Sequence, residues 1–273
     1  MFLDNKFRII ATYTTLLVEF VMFACLPYLL GKALDMALDG SWYAFAGYIG
    51  ICIVGLLIGT GRRLFDTRAF GDVWARVAGE TARKLVALRV AVPKIISRQE
   101  LVRRYADFYE FVLPSAACAI IDIFVSIGFL WFIVGDVTIV FASLIAFCCF
   151  TGYVIACWAM TQQHQEQVHR EDVSSAIALH DLETVEEGYS LIKRRLIRQS
   201  DYDALTWAIT HICIIIAEIC IVYILVQQGT TTGGILAALI YVWKGLHRSY
   251  VVSQFFTSLK RIRVSNDFLD NQV

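Results

Sequence analysis

The sequence predicts an all-α polytopic membrane protein, with six transmembrane helices and two long cytoplasmic helical hairpins. Three observations carry that expectation. Of the 273 residues, 58% are hydrophobic and only 18% charged, whereas soluble domains sit near half apolar and a quarter charged. Six apolar stretches, about 9–30, 42–61, 112–134, 137–160, 206–227 and 233–257, are each long enough to cross a hydrocarbon core of ~30 Å. Basic residues are also sorted along the chain: eleven fall in 62–111, five in 161–205, three in the tail and two at the N-terminus, against Lys32 alone in the three short connections on the other side. Because Lys and Arg stay cytoplasmic, both termini and both long segments are expected in the cytoplasm, beneath a bacterial inner membrane.

The elements follow in order. The first span is too long for a secretory signal, and its end, "LPYLLGKALDMALDG", lacks a small-residue cleavage site. The second continues into "RRLFDTRAFGDVWARVAGETARKLVALRV", a cytoplasmic helix broken at Pro93. Ser97 with Glu100 has the capping-box spacing, so a new helix is expected there. Only Gly135-Asp136 separates the third and fourth spans, which makes a tight hairpin. The segment 161–205 is charged and helix-compatible, so bends are expected near 92–97 and 180–188. Twenty residues of helix add ~30 Å, so both hairpins project well below the membrane. All eight cysteines lie within the spans; no structural disulfide is expected, and packing is their expected role.

This layout resembles the transmembrane domain of the ABC exporters across nearly the whole chain, taken as one domain, 1–273. The most specific piece is "QQGTTTGGILAALIYVWKGLHRSYVVSQFFTSLKRIRVSNDFLDN", where Gly229, Thr232, Gly234 and Arg261-Ile262 stand at the places of the family's pattern around its sixth span. The segment "GRRLFDTRAFGDVWARVAGETARKLVALRV" looks like the family's second span descending into the cytoplasm. In the exporters an ATPase domain follows the sixth span. These 273 residues contain no G-x-x-x-x-G-K-[ST], hence no phosphate cradle of that kind. The nearest glycine-rich piece, "GTGRRLF" at 59–65, reads as a packing feature. The architecture is comparable to that of the SbmA/BacA-like transporters, which resemble exporter membrane domains, lack the ATPase and run on protons. The resemblance implies a two-fold homodimer, with a separate ATPase chain as an alternative partner. The bends around Pro93 and Lys94, and around Asp181 and Glu183, would then be coupling points.

Four ionisable residues sit near mid-span: Glu19, Asp122, Glu218 and Lys244. His211 shares a helix face with Glu218, and Arg248 lies one turn from Lys244. Each charge costs about 2.5–3.5 kcal/mol at the centre of a lone helix, so these groups must pair or face water. Their neighbours form polar stripes: Thr12, Thr15 and Glu19; Ser115, Cys118, Asp122 and Ser126; Tyr241, Lys244 and Arg248. Such stripes fit helices turning one wet side to a cavity. The functional expectation is a net-acidic midplane site that binds a small cationic or zwitterionic solute or carries protons. The plainer reading pairs Lys244 with Glu218 or Glu19 as a static clamp.

Other signals are weaker. His164, Glu166 and His169 have metal-ligand types but not the H-E-x-x-H spacing. Cys148-Cys149 and the Cys213/Cys220 pair read as core packing. No metal, cofactor, catalytic residue or nucleic-acid partner is expected; the partners are the lipid bilayer, a second copy and a small-molecule or ion substrate. The expected function is gradient-driven transport. Its rivals are a membrane subunit served by a separate ATPase, a cation channel, and a haem-dependent reductase or helical scaffold, with His211 and His247 as the haem ligands.

Overall fold

The computed structural model describes residues 6–179 and 181–270. Those residues form α1 (Lys6–Leu38), α2 (Tyr43–Ala87), α3 (Val92–Asp107), a π-helical turn (Phe108–Val112), α4 (Leu113–Val134), α5 (Thr138–Ala178), α6 (Leu182–Gln227) and α7 (Thr232–Asp270). Helix alone suits so apolar a chain, since a helix satisfies its own backbone polar groups in lipid. Among the described residues, four stretches are long and apolar enough to cross a membrane: Ile10–Leu38, Tyr43–Ala87, Val102–Trp158 and Leu182–Gln227. The 57-residue Val102–Trp158 stretch folds back on itself at Gly135–Val137. The expected hairpin is therefore present, with Gly135 at φ 67°, a conformation that glycine adopts without steric cost. In α7, Lys244, His247 and Arg248 dilute the apolar run.

One end of the bundle carries three short connections, 39–42, 135–137 and 228–231; the other carries the helical extensions. The run α7 occupies the middle, packed against α1, α4, α5 and α6, while α2 lies outside on α1 and α3. Tyr241, Val242 and Leu246 are completely buried and join Leu130, Phe141, Ile145, Ile214 and Leu225 in one core. At the short-turn end α1 and α7 cross backbone to backbone. A Cβ on Gly233 would stand 2.0 Å from the Gly31 carbonyl oxygen, and one on Gly31 would stand 2.3 Å from that of Gly233. Small residues permit this approach, the usual device of helix packing in membranes. Asp35 ties the crossing: its carboxylate accepts from the Thr231 hydroxyl at 2.7 Å and from the Gly233 N–H at 2.8 Å. The carboxylate thereby satisfies an otherwise free donor in the first turn of α7.

Two prolines set the local geometry, because a proline inside a helix leaves the carbonyl four residues earlier without its partner. Pro27 lies within α1 and so frees the Phe23 carbonyl; Lys244 Nζ donates to that oxygen at 3.2 Å. Next to it, Tyr241 donates to the Ala24 carbonyl at 3.1 Å. Pro114 begins α4 just after the π-helical turn. There the Leu113 N–H is taken by the Phe108 carbonyl, and Pro114 has no N–H to give to Tyr109. The Tyr13 hydroxyl of α1 donates to the Tyr109 carbonyl at 3.0 Å. Each freed carbonyl is thus met by a side chain from another helix.

The extensions turn earlier and more sharply than the expected bends. The first turn closes at 88–91, with Arg89 at φ 54°, and α3 begins at Val92, not at Ser97. Proline is tolerated in a first helical turn, where no N–H is needed, so Pro93 starts this helix and does not break one. The side chains of Pro93, Lys94, Ser97 and Glu100 lie outside the described residues. The second bend ends at Asp181, which caps α6: it accepts from the Thr184 N–H at 3.3 Å and hydroxyl at 2.5 Å. Those hydrogen bonds hold the Asp181 carboxyl below the usual carboxylate range.

Candidate functional site

An open cavity of about 400 Å³ lies between α1, α2, α4 and α7, lined among others by Glu19, Phe23, Pro27, Asp122, Lys244 and Arg248. Its volume falls in the ~300–1,000 Å³ range of small-molecule sites. Asp122 sits on the α4 face that also buries Cys118 and Ser126. Its side chain is wholly buried, and Lys244 Nζ stands 2.7 Å from Oδ1 while Arg248 Nε stands 2.8 Å from Oδ2. Both cations come from one face of α7, four residues apart, so they flank a single carboxylate. The Arg248 contact is a directed hydrogen bond. The Lys244 contact is a charge pair, its ammonium directed instead to the Phe23 carbonyl.

A second charged group adjoins the first. Glu19 of α1 accepts from Arg62 Nε at 2.7 Å, and Arg62 also reaches Asp66 at 2.5 Å. Glu19, Asp66 and Arg62 are nearly buried. Gly59, one helical turn before Arg62, makes room for the carboxylate, since a Cβ there would lie 2.5 Å from Glu19 Oε1.

The structure brings together Asp122, Lys244 and Arg248, with Glu19 on the same wall, and leaves Glu218 and His211 apart. Lys244 pairs with Asp122, so the clamp to Glu218 or Glu19 is not formed. Glu218 lies on the half-open side of α6 among exposed Ile215 and Ile219, and it makes no ion pair among the described residues. His211 stacks on Trp207 with ring centroids 3.9 Å apart and bonds the Trp207 carbonyl at 2.9 Å. His247 stacks on Trp243, and its ring lies 6.3 Å from that of His211.

Nor is the wall net-acidic. Glu19 and Asp122 are its carboxylates, against Arg63, Lys244 and Arg248. Sequence reasoning missed Arg62 and Asp66, because the apolar stretch ends at 61 while α2 runs on through both. It also missed the role of Pro27, whose position in a span is itself a sign of a carbonyl that needs a donor. Of the expected stripes, Thr12 and Glu19 are buried but Thr15 and Ser115 face outward. The side chains of His164, Glu166 and His169 lie outside the described residues, and no group of three potential metal ligands occurs among those described.

Near the far bends, apolar side chains stand in the open. Val86, Leu88, Val92 and Ile96 are each more than half exposed around the first turn, as are Leu179 and Leu182 around the second.

The family described as ABC transporter transmembrane region matches residues 2–234. No curated protein matches the chain.

Proposed function

This chain belongs to the ABC transporter transmembrane region family, and from that premise we propose that it is one half of a homodimeric transporter. In this reading it moves a small cationic or zwitterionic solute across a bacterial inner membrane, with both termini in the cytoplasm. It is an integral membrane protein of a transport family. The observation that carries the proposal is Asp122, wholly buried yet held between two cations on the wall of an open cavity. Ionisable groups at such depth are expensive, and they mark substrate or ion pathways. A carboxylate shared by two cations can keep one while the other turns to an incoming solute or ion. That exchange lets α7 and α4 change partners as access alternates. A proton or ion gradient then supplies the drive.

A second reading has a specific observation behind it. The exposed apolar side chains at both far bends are what an ATPase chain or domain would cover, and ATP would then drive the cycle. Proteoliposome uptake of radiolabelled amines and amino acids decides between them. Uptake that follows an imposed pH gradient without ATP, and that is lost in Asp122→Asn, supports the first reading. Uptake only with ATP and an added ATPase supports the second. Unitary currents with no accumulation against a gradient would replace both with a channel.

A further inference from the structure

The two charged groups at the cavity are unequal in opposite senses. On the α4–α7 side, Lys244 and Arg248 share one carboxylate, Asp122. On the α1–α2 side, Glu19 and Asp66 share one guanidinium, Arg62. In these pairings the first group sets two cations against one carboxylate, and the second sets two carboxylates against one guanidinium. Glu19 from the second and Asp122, Lys244 and Arg248 from the first line the same cavity. Arg63, also on the wall, has an interaction of its own.

The cavity is graded along the bundle as well. On α1, Glu19 precedes Leu26, Pro27 and Leu30; on the antiparallel α7, Ile240 precedes Lys244 and Arg248. Both helices therefore run from charged to apolar toward the short-turn end, over ~16 Å between Glu19 and Leu30.

We propose that this cavity binds a small zwitterion carrying an apolar group. Its ammonium faces Glu19, its carboxylate or phosphate faces Lys244 and Arg248, and its apolar body lies between Phe23, Leu26, Leu30 and Ile240. The inference rests on the transport reading above and names its substrate class. A solute with one charge answers one of these imbalances and leaves the other, and a poorly solvated charge without a partner is costly. A zwitterion answers both. Lys244 and Arg248 keep 16% and 29% of their side-chain surface open to receive it.

Equilibrium binding to the full chain in lipid nanodiscs tests this with three probes that share one apolar body. Phenylalanine carries both charges, phenethylamine only the ammonium and 3-phenylpropanoate only the carboxylate. Phenylalanine should bind at least ~10-fold more tightly than either analogue, a gap equivalent to ~1.4 kcal/mol. Glu19→Gln should erase its advantage over 3-phenylpropanoate, Arg248→Gln its advantage over phenethylamine, and Glu19→Asp should restore the first. Each variant is compared at a melting temperature matched to the parent. Lysophosphatidylethanolamine supplies the lipid arm: if it binds with the same dependence on Glu19 and Arg248 and phenylalanine does not, the zwitterion is a lipid headgroup. Equal binding of the three phenyl probes overturns the proposal, as does failure of both zwitterions to bind. Uptake of a simple amine with no zwitterion binding would sink this inference and leave the transport reading standing. Zwitterion binding without any uptake would do the reverse.

Discussion

Removing the Lys244 ammonium should cost much less once Pro27 is gone. Lys244→Met deletes the donor to the Phe23 carbonyl and leaves that oxygen bare, because residue 27 has no N–H. Leaving a part-buried acceptor unsatisfied costs at most about 1–3 kcal/mol, the range for a buried one. It also removes one of the two cations on Asp122, which Arg248 still holds. In the Pro27→Ala background, the new N–H at position 27 takes the Phe23 carbonyl in the ordinary helical way. Only the Asp122 contribution then remains. The double-mutant cycle should therefore show a coupling toward the lower end of about 1–3 kcal/mol. Reversible unfolding of all four proteins in one detergent measures it. Pro27→Ala by itself should be neutral to stabilising, since proline is the poorest residue for a helix interior. If Lys244→Met costs the same in both backgrounds to within about 0.5 kcal/mol, the ammonium is not replacing the missing N–H and the reasoning fails.

Other consequences are equally open to measurement. Asp122→Asn strands two cations and should destabilise by about 3 kcal/mol, the lower end for a broken buried pair because both cations retain some access to water. The triple variant that also neutralises Lys244 and Arg248 should unfold at a higher temperature than Asp122→Asn alone; a lower one would refute the charge argument. Gly233→Val pushes side-chain atoms into the Gly31 carbonyl and should cost at least ~1–3 kcal/mol, with faster amide exchange at the facing ends of α1 and α7. The folded-state pKa of Asp181 is depressed, so its ionised form favours folding. Its cap is present above the unfolded value and is lost as pH falls through the folded one, so amide exchange at Leu182–Val185 should quicken there in the parent and not in Asp181→Ala.

Fold class was legible because it depends on quantities a sequence states directly: lengths of apolar runs, their separation by Gly135-Asp136, and the sorting of Lys and Arg. That Lys244 and Arg248 share a face of α7 was legible too, because helical periodicity assigns a face; Tyr241, expected on the same wet stripe, is instead buried in the core. What periodicity does not assign is the rotation of one helix against its neighbour. Glu218 and Asp122 were equally good partners for Lys244 by depth, and only the packing of α7 on α4 selects Asp122. Arg62 was hidden because the end of an apolar run is not the edge of the buried region: on the expected continuation of the helix, Arg62 and Asp66, one turn apart, are nearly buried, and Arg62 holds Glu19. The bend at 92–97 was misplaced for a related reason: proline was read as a stop, whereas in a first turn it is a start.

The tied crossing of Gly31 and Gly233 also has a mechanical consequence. Fixed there, α7 is a lever with its fulcrum at one end. Lys244 lies eleven residues out, or ~16 Å, and Asp270 thirty-seven residues out, or ~55 Å. A tilt of ~10° about that fulcrum carries Lys244 ~3 Å and the tip ~10 Å. The first displacement is as long as the ammonium–carboxylate contact itself, so the grip on Asp122 fails early in the stroke, while the tip sweeps more than three times as far. A force applied at the tip acts on the charge pair with that same ratio in its favour.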